Sequence, residues 1–229
     1  MRNFKIIAVL SALLFATACA GGVRSDSGFR YLNAGMVSTI NLPEVPEKGS
    51  ALFDADFKTL HDWQDKRTQG QCDAAKADSD YAFVSLFPMM KSFYSSLPQR
   101  NREFIDSVGD EVRAAVEVMK AKYDRERPYV TDTTLTPCIG KMGKKSRAYP
   151  SGHTSVARVY AMLLTELMPD RRAEFFTRAD EIAESRVISG VHHPTDIEAG
   201  KRLAVGLFPK YMQNKLFRAN VNDLRQYIK

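Results

Sequence analysis

From residue 50 onward the apolar positions recur every three to four residues, the spacing that lines one face of an α-helix. Leu52, Phe53, Phe57, Leu60 and Trp63 (or Gln64) mark a first such stretch. Phe104, Ile105, Val108, Val112, Val116, Met119 and Tyr123 mark a longer second one, with Pro98 ahead of it and a stop near Pro128. A third runs through Val156, Val159, Tyr160, Leu163, Leu164 and Leu167 and ends before Pro169, because proline cannot continue the helical hydrogen-bond ladder. Asp170 then stands where an N-cap belongs, ahead of a helix carrying Phe175, Phe176, Ala179, Ile182 and Ala183 and reaching about Ile188. Another helix starts near Pro194 and passes Leu203 and Val205, and a last one spans Lys210 to Tyr227. Strand-like alternation is nearly absent, with Tyr129 to Leu135 the single β-branched run. The pattern predicts an all-α fold: a compact single-domain helical bundle over residues 50–229, with no internal repeat.

The first 49 residues do not share this periodicity. Arg2 and Lys5 precede an apolar run from Ile6 to about Ala18, followed by Ala20, Gly21 and Gly22, which is the layout of a secretory signal peptide over residues 1–20. The run is shorter than the ~20 apolar residues needed to cross a bilayer as a helix. Cleavage after Ala20 and cleavage before Cys19, with a lipid anchor on that cysteine, both fit the small residues around the site. Residues 21–49, with turns at Pro43, Pro46 and Gly49, read as an N-terminal arm draped over the surface. With Cys19 removed or lipidated, Cys72 and Cys138 remain as a disulfide pair for an oxidising compartment such as the periplasm; two buried free thiols are the alternative.

Composition narrows the field without naming a ligand. At 229 residues, 44% hydrophobic, 26% charged and a mean hydropathy of −0.31, the chain is neither disordered, collagen-like nor a polytopic membrane protein. The net charge of +6 falls by two when Arg2 and Lys5 leave with the signal, and the remaining excess suits an anionic partner. Three Cys and four His are too few for a multi-zinc architecture.

Three short stretches gather anion-binding groups and most of the histidines at the ends of predicted helices. Lys120-x6-Arg127-Pro128 offers a mobile point charge and a planar fork of donors, a combination suited to a phosphate-like oxyanion. Pro150-Ser151-Gly152-His153 stands directly before a helix, where free backbone N–H groups and the positive end of the helix dipole attract an anion; a plain N-cap turn is the alternative reading. Ser185-Arg186-x5-His192-x3-Asp196 adds a second guanidinium and a histidine whose tautomer Asp196, one helical turn away, can fix, leaving the other ring nitrogen as a lone pair.

Taken in order, these motifs resemble the three-part signature of the type 2 phosphatidic acid phosphatase superfamily, which includes vanadium haloperoxidases. With a signal peptide and a chain this short, the nearest resemblance is to the bacterial class A non-specific acid phosphatases, over about residues 50–210. The resemblance implies His192 as nucleophile through a phosphohistidine, Asp196 orienting it, and His153 as the acid that protonates the leaving alkoxide and then the base that activates water. It implies that Lys120, Arg127, Ser151, Gly152 and Arg186 hold the phosphoryl oxygens, with no metal and no cofactor. His193 departs from the family, whose members carry a bulky aromatic there, and is expected to touch the substrate pocket rather than the chemistry. His61 is expected at a packing or surface position on its helix.

The implied activity is hydrolysis of small phosphate monoesters, fastest at acidic pH. A vanadium-dependent haloperoxidase and a phosphatase of lipid phosphates or pyrophosphates are the alternatives. A haloperoxidase needs extra segments for a halide site, and the usual lipid phosphatases span the membrane several times. Nucleic-acid binding is not expected, because no array of stacking aromatics accompanies the basic residues. The sequence leaves a homo-oligomer open.

Overall fold

The computed structural model describes residues 28–143 and 145–228. The leader, Cys19 and both cleavage sites lie outside them. The residues described begin with the arm, which contains α1 (Ala34–Ser38). Helix α2 (Ala51–Lys66) is capped by Ser50, whose hydroxyl accepts from the Phe53 N–H at 3.2 Å. Helix α3 (Gln69–Ala77) starts in a capping box between Thr68 and Gln71. Two short helices follow, α4 (Phe83–Leu86) and α5 (Lys91–Ser96), and then the long α6 (Gln99–Tyr123), which Asp124 closes in the left-handed conformation at φ 45°. The single-turn α7 (Pro128–Thr131) leads into a loop and then α8 (Gly152–Leu167), α9 (Arg172–Ile188), α10 (Pro194–Gln213) and α11 (Lys215–Arg225). No strand occurs among the described residues.

Helix α8 is the centre of the bundle. Of its positions, Val156, Ala157, Val159, Tyr160, Ala161, Leu163 and Leu164 are all buried, and it packs against α9, α10 and α6. Burial around the whole helix is what an almost uncharged sixteen-residue segment requires. On α6, Val108, Val112, Ala115, Val116 and Met119 form the buried stripe the spacing predicts, and Leu203, Leu207 and Tyr211 do the same on α10. Helices α8 and α10 approach closely at Gly200, where a Cβ would come within 2.8 Å of the Ser151 carbonyl oxygen. That contact brings the start of α8 against the first turns of α10, the two places where the second and third motifs sit. A second, smaller core joins Leu60 of α2 to Tyr129, Leu135, Val187, Val191 and Ile197.

Several sequence expectations are corrected here. Asp170 does not cap α9; it lies in a 3-10 turn, Pro169–Arg171, and no side chain caps the helix. The β-branched run 129–135 forms no strand, because Pro128 starts a helical turn and the Asp132 carboxylate accepts from the Thr134 N–H at 2.9 Å, which bends the chain. The last two helices divide at Asn214 rather than before Lys210: α10 runs through Pro209, and the Asn214 side chain accepts from the N–H groups of Leu216 and Phe217 to start α11. The arm is not merely draped over the surface. Phe29, Tyr31, Leu32, Val37, Ile40 and Leu42 enter the main core, and the buried Glu111 carboxylate of α6 accepts from the backbone N–H groups of Arg30, Tyr31 and Leu32 at 2.7–3.1 Å. Cys72 on α3 and Cys138 form a disulfide that fastens α3 to the loop after α7.

Candidate active site

The three motifs converge on one cavity of about 540 Å³. Lys120 comes from the last turn of α6, Arg127 from the residue before α7, Gly152 and His153 from the first turn of α8, Arg186 from the last turn of α9, and His192 from the loop before α10. Two backbone bonds hold the pieces in register: the Ser151 N–H donates to the Asp196 carbonyl at 3.0 Å, and the His192 N–H to the Arg186 carbonyl at 3.3 Å. Gly152 lies under the Tyr81 hydroxyl, where a Cβ would be 2.7 Å from that oxygen, so only glycine leaves the helix start open at this point.

His192 is almost fully buried and held from both sides. Its Nδ1 lies 3.2 Å from Asp196 Oδ2, and its Nε2 lies 2.8 Å from Arg127 Nη1. A guanidinium can only donate and an ionised carboxylate can only accept, so Nδ1 carries the hydrogen and Nε2 a lone pair. Burial, with Arg127 as the largest nearby charge, holds the His192 imidazolium well below its ordinary range, against the pull of Asp196. For Asp196 burial acts to raise the pKa, but His193, His192 and Arg125 outweigh it and keep the carboxyl ionised well below the usual range.

Arg127 also donates to the Val191 carbonyl at 2.8 Å and the Ser146 hydroxyl at 2.9 Å, and its buried Nε has no hydrogen-bond partner. Arg186 is fully buried, donates to the Ser185 hydroxyl and the Ala75 carbonyl, and burial lowers its pKa to about 10. Lys120 Nζ is 2.9 Å from Glu117 Oε1, and burial lowers its pKa despite that partner. His153 borders the cavity, stacks on Tyr81 with ring centroids 3.9 Å apart, and its Nε2 faces the Ser79 carbonyl at 3.2 Å. Burial, and then Arg186, lower its pKa to about 3. Without an anion in the cavity both rings are therefore neutral above moderately acidic pH.

Not every residue of the three motifs faces this space. Ser151 is fully buried behind it as the N-cap of α8, its hydroxyl accepting from the Thr154 N–H at 3.5 Å. Asp196 stands behind His192, as an orienting carboxylate would. His193 does not line the cavity; its ring is buried edge-on to Phe57 at 5.3 Å and bonds Asp196. His61 sits partly exposed on α2 with Nε2 2.9 Å from Asp132 Oδ2.

The sequence reading missed three residues that complete the site. Arg125 is buried and donates to Asp196 Oδ1 at 2.7 Å and to Asp56 Oδ2 at 2.8 Å, so one guanidinium balances two carboxylates. Asp56 in turn accepts from the Thr195 N–H at 3.1 Å, which ties α2 to the start of α10. A carboxylate among Phe53, Phe57 and Leu60, on the apolar face of an amphipathic helix, is the signal that could have found it. Tyr81 leaves no such trace, since its stack on His153 is made only by the tertiary fold. Among the described residues no three His, Cys, Asp or Glu side chains group as a metal-binding set, and no helix is long and apolar enough to cross a membrane.

The profile of the PAP2 superfamily matches residues 112–215, which hold all three motifs. A protein named non-specific acid phosphatase, from Providencia stuartii, is 27% identical over 93% of this chain and 96% of its own. Two solved structures share the fold. The transmembrane PAP2-type phosphatidylglycerolphosphate phosphatase of Bacillus subtilis superposes with a TM-score of 0.53 at 21% identity, over 85% of this chain and 92% of its own. A bacterial vanadium-dependent iodoperoxidase superposes with a TM-score of 0.57 at 16% identity, over 80% of this chain and 53% of its own. The PAP2 profile thus spans the convergent motifs, and the stretch that holds them is what this chain shares with the superfamily.

Proposed function

We propose that the protein is an exported acid phosphatase that hydrolyses small phosphate monoesters through a phosphohistidine at His192, without a metal ion. One observation carries this reading: Asp196 on one side and Arg127 on the other leave His192 a single tautomer, with the lone pair of Nε2 at the end of a cavity lined by Lys120, Arg127 and Arg186. A phosphoryl group there meets three fixed cations and the free N–H groups of the first turn of α8, enough to balance the charge on its non-bridging oxygens. The partnerless Nε of Arg127 is a donor ready for one of those oxygens.

In the forward step Nε2 of His192 attacks phosphorus and the ester P–O bond breaks, its electron pair going to the leaving oxygen. That oxygen takes the proton from Nε2 of His153, which enters the step as the imidazolium, its extra proton brought in by the ester monoanion and its charge balanced by the bound phosphoryl group, and which leaves it neutral. In the return step the neutral His153 removes a proton from water, the water oxygen attacks phosphorus, and the P–N electron pair returns to His192 as phosphate leaves. Arg127 Nη1 releases Nε2 when the anion arrives, since a guanidinium donates preferentially to a charged oxygen. The basic end of the cavity grips the phosphoryl group alone, which fits a broad range of alcohols. The leader at residues 1–20 directs the chain to the periplasm, as a soluble form or anchored at Cys19.

The deciding test is an assay of the purified, EDTA-treated mature protein on a chromogenic phosphate monoester, with and without vanadate, then with vanadate, bromide and peroxide together. Metal-independent hydrolysis inhibited by vanadate supports the proposal. Halide oxidation without ester hydrolysis overturns it in favour of a haloperoxidase.

A further inference from the structure

Asp196 carries more than the one imidazole its role requires. It is fully buried, and its Oδ1 accepts from Arg125 at 2.7 Å. Its Oδ2 accepts from three donors: His192 Nδ1 at 3.2 Å, the His193 backbone N–H at 2.8 Å and His193 Nδ1 at 3.0 Å. The side chain of His193 is thus nearer the shared oxygen than the nucleophile is, and, facing a carboxylate, it must be a donor there. His193 is itself buried, packs on Phe57 and stays out of the cavity, so its ring meets the site at Asp196 and not at the substrate.

We propose that His193 is a positioning residue for the reaction at His192: by donating to the same carboxylate oxygen it divides the charge of Asp196 between two rings and sets how strongly that charge holds a proton on the nucleophile. The inference rests on the phosphatase reading for its kinetic consequence, but not for its electrostatic one. A carboxylate satisfied by fewer donors attracts a proton on its remaining partner more strongly. The shared arrangement therefore keeps His192 neutral, and nucleophilic, further into acidic pH. It also lessens the stabilisation of a positively charged phosphoimidazole, which favours attack by water. The other charged groups facing His192 are Arg127, Lys120 and Arg186 from the cavity wall; those facing Asp196 are Arg125, with Asp56 behind it, and the Tyr149 hydroxyl lies in its field. None of these is changed by replacing His193.

His193→Phe keeps a ring against Phe57 and deletes the donor, whereas His193→Asn keeps a side-chain N–H near the same oxygen. The test is an NMR titration of the His192 ring in the parent and both variants, which needs no turnover. It is paired with the acid limb of kcat/KM on an ester whose good leaving group makes His153 dispensable. Expected is an upward move of both by about one pH unit in His193→Phe, a several-fold slower release of phosphate from the phosphoenzyme, and return toward the parent in His193→Asn. An unmoved His192 titration in a folded His193→Phe, or equal shifts in both variants, overturns the proposal and leaves His193 as a helix cap. If the titration moves as expected in a protein without phosphatase activity, the sharing of Asp196 stands and the functional reading fails.

Discussion

Acidifying the ligand-free protein from about pH 7.5 to about pH 5 should destabilise it, with the two cavity histidines responsible for much of the loss. In the folded state burial and the neighbouring cations hold His192 well below, and His153 down to about 3, whereas both titrate near ~6.5 in the unfolded chain. The unfolded chain thus binds more protons across this window, so stability falls as pH falls. About pH 5 lies roughly 1.5 units below the unfolded pKa, so His153, held to about 3 in the folded state, accounts for about 2 kcal/mol at ~1.4 kcal/mol per unit. For His153, which borders the cavity, that figure is an upper limit, and His192 adds to it in the same direction. A loss of about 2 kcal/mol from His153 alone corresponds to roughly 4–8 °C in Tm for a domain of this size. Burial raises the pKa of Glu111 and of Asp106, and these carboxyls act in the opposite direction. The informative quantity is therefore the difference between the parent and a His153→Gln/His192→Gln double variant. Urea unfolding followed by circular dichroism in phosphate-free buffer gives it. The parent should lose about 2 kcal/mol or more beyond the loss in the double variant, and added inorganic phosphate, binding only the folded state, should restore stability at the lower pH. Identical pH dependence in the two proteins would refute the electrostatic description of the cavity.

Three further outcomes follow from the same structure. Replacing both Cys72 and Cys138 by alanine opens a loop of 66 residues and should cost about 4 kcal/mol on the chain-entropy relation, measured as the difference in urea unfolding between oxidised parent and variant. Glu111→Ala strips partners from three backbone N–H groups and should cost about 3 kcal/mol or more, with limited proteolysis cutting the arm between residues 28 and 49. Activity toward an ester of a poor leaving group should fall above about pH 6: the reactive complex holds one proton, brought by the ester monoanion, whose pKa is ~6, or by His153. With a good leaving group, that alkaline fall should weaken and His153→Gln should retain most of its kcat/KM, while its turnover falls because the water step lacks its base.

The helices that bury an apolar stripe, α2, α6, α8, α9 and α10, were legible because their spacing is the direct trace of one-sided burial. Helix α3 was not, since Gln69–Ala77 buries only Cys72 and Ala75 and is held by its capping box and the disulfide rather than by a stripe. The arm was misjudged for a related reason. Its anchor is a carboxylate on α6, 79–81 residues away, and no local pattern in Phe29–Leu42 announces such a partner. In the site, the motif residues stood out because anion-binding groups cluster at helix ends. Arg125 and Asp56, whose partners come from three separate segments, depend on the folded chain, and so does the placement of His193 behind His192 rather than in the pocket. Even Arg186, which lines the cavity, donates to Ser185 and Ala75, which fix the direction of its guanidinium.

The most direct test of the account is to mix the protein with an excess of a chromogenic phosphate monoester, quench within the first turnover and map the modified residue by mass spectrometry. The account predicts an acid-labile, alkali-stable phosphate on the peptide containing His192, accumulating in His153→Gln with good leaving groups and absent in His192→Ala, which should not turn over. Full activity in His192→Ala, or phosphate trapped on another residue, would contradict it.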